Sequence, residues 1–76
     1  MPDVVITGWT SGLETARCIP LLQSAAGLSA TDAKRVIERL MHGETQRVAV
    51  RSGPDAALIV SALGKLGATA HVDPAS

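Results

Sequence analysis

The run SATDAKRVIERLMHGETQRVAVR, residues 29–51, changes its hydrophobic period halfway along, and that change decides the fold class. In its first half Ala33, Val36, Ile37, Leu40 and Met41 recur at helical spacing, while Lys34, Arg35, Glu38 and Arg39 take the opposite side. The spacing predicts an amphipathic helix with its apolar stripe on a core. Ser29 is the expected N-cap, Asp32 suits the positive end of the helix dipole, and Gly43 is the expected stop. Lys34 and Glu38 stand one turn apart and can pair. In the second half, over 46–51, the period falls to two. Val48 and Val50 share one face and Arg47 and Arg51 the other, as in a strand with one side in water.

The flanking sequence extends this alternation of element types. Upstream, Asp3-Val4-Val5-Ile6-Thr7 is a short β-branched run ended by Gly8 and predicts a strand buried on at least one face. Gly8-Trp9-Thr10-Ser11-Gly12 reads as a loop, in which Trp9 is either a lid on the core or a binding anchor. Ser11 and Glu14 have the spacing of a capping box, which puts the start of a first helix near Gly12. Cys18, Leu21, Leu22 and Ala25 form its inward stripe. Pro20 removes a helical hydrogen bond and crowds the preceding turn, so either the helix kinks there or regular helix begins only around Ile19.

Downstream, Ser52 or Gly53 caps a third helix with Pro54 in its first position and Asp55 in its first turn. Ala56, Ile59, Val60, Leu63 and Leu66 make its stripe, and Gly67 ends it. Thr69-Ala70-His71-Val72 predicts a closing strand, and residues 73–76 a frayed tail. The order strand, helix, helix, strand, helix, strand over 1–76 gives a single domain. The expected fold is α+β with two layers, three helices on one face of a three-stranded sheet, leaving Arg47 and Arg51 in water.

Composition narrows the function. The chain has 76 residues, 46% of them apolar, yet Trp9 is the one aromatic residue, so small aliphatic side chains must fill a thin core. Seven basic residues balance seven acidic ones, which removes the electrostatic case for nucleic acid or an anionic membrane as partner. Cys18 is the single cysteine, so no intrachain disulfide is available and a cytoplasmic, reducing setting fits. No apolar stretch reaches the length of a membrane span.

Chemistry needs a nucleophile within reach of a base. His42 falls at the end of the second helix and His71 on the outer face of the last strand. Cys18 lies on an inward stripe, where a thiol packs and does not react. The acidic residues are spread over helix starts and loops, without metal-ligand spacing, and no glycine-rich phosphate motif occurs. The expectation is a protein-binding module without a cofactor, and not an enzyme. Ala16, Ile19 and Pro20 form an apolar group on the side of the first helix that the core stripe does not use. They are either a docking patch or a sign that the helix is rotated, with Ile19 in the core.

Several stretches resemble the C-terminal domain of the bacterial ribosomal stalk protein. They are Asp3-Val4-Val5-Ile6 in the opening strand, 27–34 at the glycine-leucine turn and into the second helix, and 55–63 with 67–72 at the close. The resemblance implies recruitment of translation GTPases through the first helix and the start of the second. Ala16 and Ile19 match the apolar centre of that surface, and Lys34 one of its basic residues. Three other basic positions fall on Thr15, Pro20 and Gln23, which implies weaker electrostatic steering of an acidic partner. The partner surface expected from this comparison is Ala16, Ile19, Pro20, Gln23 and Lys34, with Trp9 nearby. The stalk protein's dimerisation segment and hinge have no counterpart before the first strand, so the chain is expected not to act as a complete stalk subunit. A related fold, the Clp-protease adaptor, implies an alternative in which His42 and Trp9 line a pocket for a peptide amino terminus. Its acidic loop has no match in 8–12.

Overall fold

The computed structural model describes residues 2–73. Its elements are β1 (Asp3–Trp9), α1 (Thr15–Ala26), α2 (Ala30–Met41), β2 (Gln46–Ala49), α3 (Gly53–Leu66) and β3 (Ala68–Asp73). This is the α+β order that the periodicities dictate. The sheet order is β2-β1-β3, and both neighbours run antiparallel to the central β1. All three helices lie on one side: α2 and α3 touch the strands, and α1 packs on α2 and α3.

Register sets the two sheet faces, because residues opposite one another in antiparallel strands point the same way. Val4 sits between Val48 and Val72, and Ile6 between Gln46 and Ala70. Val4 and Ile6 have no exposed surface and meet Leu22, Ala33, Ile37, Leu40, Ala56, Ile59 and Leu63 from the helices. Burying one such Leu or Ile stabilises the fold by about 1.5–3 kcal/mol. On the open face Val5 is flanked by Arg47 and His71 and is itself buried. Both sides of β1 are thus covered, which accounts for its unbroken apolar run.

Arg47 closes that face. Its Nη1 donates to Asp3 Oδ2 at 2.8 Å and to Asp73 Oδ2 at 2.7 Å, joining all three strands. These hydrogen bonds raise the guanidinium pKa further above its already high value. Asp73 therefore belongs to β3 and not to a frayed tail; positions 74–76 lie outside the described residues. Arg47 lies on this open face as expected; Arg51 is exposed too, but it stands beyond β2 with its guanidinium beside Gly27 at the end of α1, because the chain has left the strand there.

Caps follow the sequence in two of three helices. Ser29 Oγ accepts from the Asp32 N–H at 3.1 Å, and Ser52 Oγ from the Asp55 N–H at 3.3 Å. The capping box expected at Ser11 and Glu14 does not form. Glu14 is the N-cap of α1 and makes no side-chain cap bond. Ser11 and Gly12 instead form the middle of a turn, closed by the Leu13 N–H on the Thr10 carbonyl at 3.0 Å. Long-range partners have taken over: the Glu14 N–H donates to the Leu66 carbonyl, and the Thr10 N–H to that of Gly67.

Four further expectations need correction. β1 continues through Gly8 to Trp9 past an irregularity between Ile6 and Gly8, so Trp9 is a strand residue opposite Ala68 and not part of a loop. A bulge of this kind absorbs one extra residue, here Thr7, and keeps the pairing going. Met41 is 43% exposed at the last residue of α2, where the helix ends. No Lys34–Glu38 ion pair forms among the described residues, as is common for flexible solvated side chains. β2 stops at Ala49, although Val50 is still buried and its N–H donates to the Pro2 carbonyl.

Candidate functional site

α1 runs without interruption from Thr15 to Ala26 with Pro20 inside it, so regular helix does not wait for Ile19. Pro20 has no N–H for the Ala16 carbonyl, four residues earlier, and that oxygen loses its helical partner. Cys18 and Leu22 are fully buried and define the inward direction. Ala16, Arg17, Pro20, Gln23 and Ser24 are exposed. Ile19 is half-buried and packed against the core cluster, as is Leu21. Ile19 is therefore not outside the core; it is a shoulder residue with one side in water. At about 100° per residue, Ile19 and Leu21 stand roughly 200° apart on α1. They occupy opposite shoulders.

Each shoulder borders a different neighbour. Leu21, with Pro20, Arg17 and Ser24, lines an open groove shared with Ala62, Lys65 and Leu66 of α3. The groove is shallow, about 530 Å³, with an apolar floor and Arg17, Lys65 and Glu14 at its rim. Glu14 and Arg17 form a loose exposed ion pair at 3.7 Å. Ile19 faces the other way, toward α2, which carries the exposed Lys34. Of the expected partner residues on α1, Ala16, Ile19 and Gln23 thus belong to its α2 side, and Lys34 is exposed on α2 itself. Pro20 sits on the crest and borders the α3 groove.

Trp9 is 40% exposed at the far end of β1, on the side of β3. His42 is exposed at the end of α2, which leads into β2 on the opposite sheet edge. Neither side chain lines the α1–α3 groove or a second depression, less open than the first, formed by Thr10, Val60, Gly64 and 67–70. The peptide pocket of the adaptor reading is not assembled from these two residues in this structure.

The Cys18 thiol has no exposed surface. Burial, and secondarily the nearby Glu14 carboxylate, push its pKa up, so the thiolate is disfavoured. Among the described residues no group of three His, Cys, Asp or Glu is placed to hold a metal ion. None of their buried side-chain polar atoms lacks a hydrogen-bond partner. Among the described residues no helix is long and apolar enough to cross a membrane. Leu58, 67% exposed on α3, escaped the sequence reading. Its signal was an apolar residue off the Ala56-Ile59-Leu63 stripe.

Compared with protein-family models and with curated proteins, the sequence matches none.

Proposed function

We propose that the domain is a cytoplasmic protein-binding module whose docking surface is the outer face of α1 on its α2 side, formed by Ala16, Ile19 and Gln23 with Lys34 at the rim. The observation that carries this reading is the exposure of Ala16 and Gln23, both uncharged, beside the half-buried Ile19 on one side of α1. A helix face with small residues at its centre lets a partner approach closely, and rim charges then set encounter rate and register. The likeness to the ribosomal stalk domain names the partner class to test: a translation GTPase with an acidic contact surface. Thr15, Pro20 and Gln23 stand where that family carries cations, so recruitment is expected to be weaker than by a stalk domain.

The test is a binding titration of an elongation factor against the domain at low and physiological salt. Thr15→Lys and Gln23→Arg together should raise the association rate, with a gain that shrinks as the Debye length falls to about 8 Å. Pro20 is left unchanged because replacing it also alters the helix. An unaltered rate in the double variant at low salt would remove this surface from consideration.

A further inference from the structure

The α1–α3 groove lies on the other side of α1 from the proposed docking surface, and α3 presents beside it a set of residues that the core does not use. Asp55, Leu58, Ala62 and Lys65 are spaced three, four and three apart, which places them on one stripe of a helix. Leu58 projects with 67% of its surface exposed. Ala62, one turn on, is small and forms part of the groove floor with Pro20, Leu21 and Leu66. A large apolar knob and an apolar hollow therefore sit next to each other on the same face.

The charges on this stripe are arranged in the same way. Asp55 stands in the first turn of α3 and Lys65 in the last. Neither side chain has an ion-pair or hydrogen-bond partner among the described residues. When two copies of α3 are laid antiparallel about a two-fold axis at Val60, Asp55 faces Lys65 of the other copy, and Leu58 faces Ala62. The midpoint of α3 (Gly53–Leu66) lies between Ile59 and Val60, so the register that matches the charges also overlaps the helices along nearly their whole length. Arg17, which also lines the groove, is already paired with Glu14 at 3.7 Å, so Lys65 is the groove cation left for the incoming Asp55.

We infer that a second copy of this chain covers the groove, as an isologous dimer in which Leu58 of each protomer enters the α1–α3 groove of the other over Ala62. Two-fold contacts require a self-complementary patch, with each residue type meeting its counterpart across the axis. Knob against hollow and anion against cation meet that requirement in one register. A net formal charge of zero leaves no overall repulsion to oppose association. The dimer leaves Ala16, Gln23 and Lys34 uncovered, so it is independent of the proposed function.

The test is analytical ultracentrifugation of the intact chain over about 10 µM to 1 mM, the range suited to a small interface. The expected result is a reversible monomer–dimer equilibrium. Leu58→Asp, at an exposed position, should raise the dimer Kd by roughly tenfold or more with an unchanged circular dichroism spectrum. Asp55→Lys and Lys65→Glu should each weaken self-association, and a mixture of the two variants should recover a heterodimer because both cross-axis pairs are then restored. If Asp55→Lys fails to fold, Lys65→Glu is compared with Lys65→Gln, and only the former should face a like charge and lose more affinity. Sedimentation as a monomer throughout would overturn the inference. So would a dimer indifferent to Leu58→Asp, or one equally affected by Lys65→Gln and Lys65→Glu.

Discussion

Replacing Gly67 by Ala probes the one place where the chain ends of α1, α3 and β1 are pressed together. Gly67 has φ +101° and terminates α3; a Cβ there would lie 2.9 Å from Leu13 Cα and 3.0 Å from both Leu13 N and Thr10 Oγ1. Two costs add. The positive φ is unfavourable to an L side chain by about 1–3 kcal/mol. The contact with Leu13 is with backbone, which cannot swing away, and over-packing of this kind costs about 1–3 kcal/mol more. Reduced freedom of the unfolded chain returns about 0.4–1 kcal/mol. The net loss is about 1–6 kcal/mol, against a total stability on the order of 4–11 kcal/mol for a domain of this length.

Gly43 supplies the control. It has φ +89° with nothing within 4 Å of its added Cβ, so Gly43→Ala carries the conformational cost alone. Urea unfolding followed by far-ultraviolet circular dichroism should place Gly67→Ala well below Gly43→Ala, or show it unfolded where Gly43→Ala is native. Equal losses in the two variants would mean that the 10–13 turn does not rest on the end of α3, and the account of how α1 is started would fail.

Two further outcomes follow from the same structure. Ser29→Ala should lower stability by about 1 kcal/mol through loss of the α2 cap, whereas Ser11→Ala should change it negligibly; thermal melts of both variants decide this. The Cys18 thiol should react with a thiol reagent only as fast as the protein unfolds. Its folded pKa is raised above the ordinary 9.0, so folding favours the neutral form. That contribution is complete below the ordinary pKa and is lost as pH rises through the folded value. Cys18→Ala should accordingly show a flatter decline of stability between the ordinary pKa and the raised folded one, measured by urea titration across the alkaline range.

Local signals in the sequence were sufficient wherever the structure's own cause is local. The Ser29 and Ser52 caps, the Ala33-Ile37-Leu40 and Ala56-Ile59-Leu63 stripes, and the switch from helix to strand at Gly43 all depend on neighbours within a turn or two. The failures occur where a distant partner wins. Ser11 and Glu14 have capping-box spacing, but the Glu14 N–H is claimed by Leu66 across the fold. Gly8 looked like the end of a strand because pairing with Thr69, which carries β1 onward, is not written in the adjacent residues. Asp73 resembled tail because its partner, Arg47, stands 26 positions away.

The candidate surface was legible to the same degree. That Ala16, Pro20 and Gln23 face solvent follows from their angle to Cys18 and Leu22. The half-burial of Ile19 depends on how α1 rolls between α2 and α3, which periodicity alone leaves open. The α1–α3 groove depends on both helices at once, and its neighbour Leu58, apolar and off-stripe, escaped the sequence reading.

The central claim is that α1 meets a protein partner through its α2-facing side. Nuclear magnetic resonance titration of the labelled domain with an elongation factor tests it most directly. The account predicts chemical-shift changes concentrated at Ala16, Ile19, Gln23 and Lys34, weakening as salt is raised. Binding that perturbs other surfaces and leaves these four residues unchanged, or no perturbation at low salt, would contradict it.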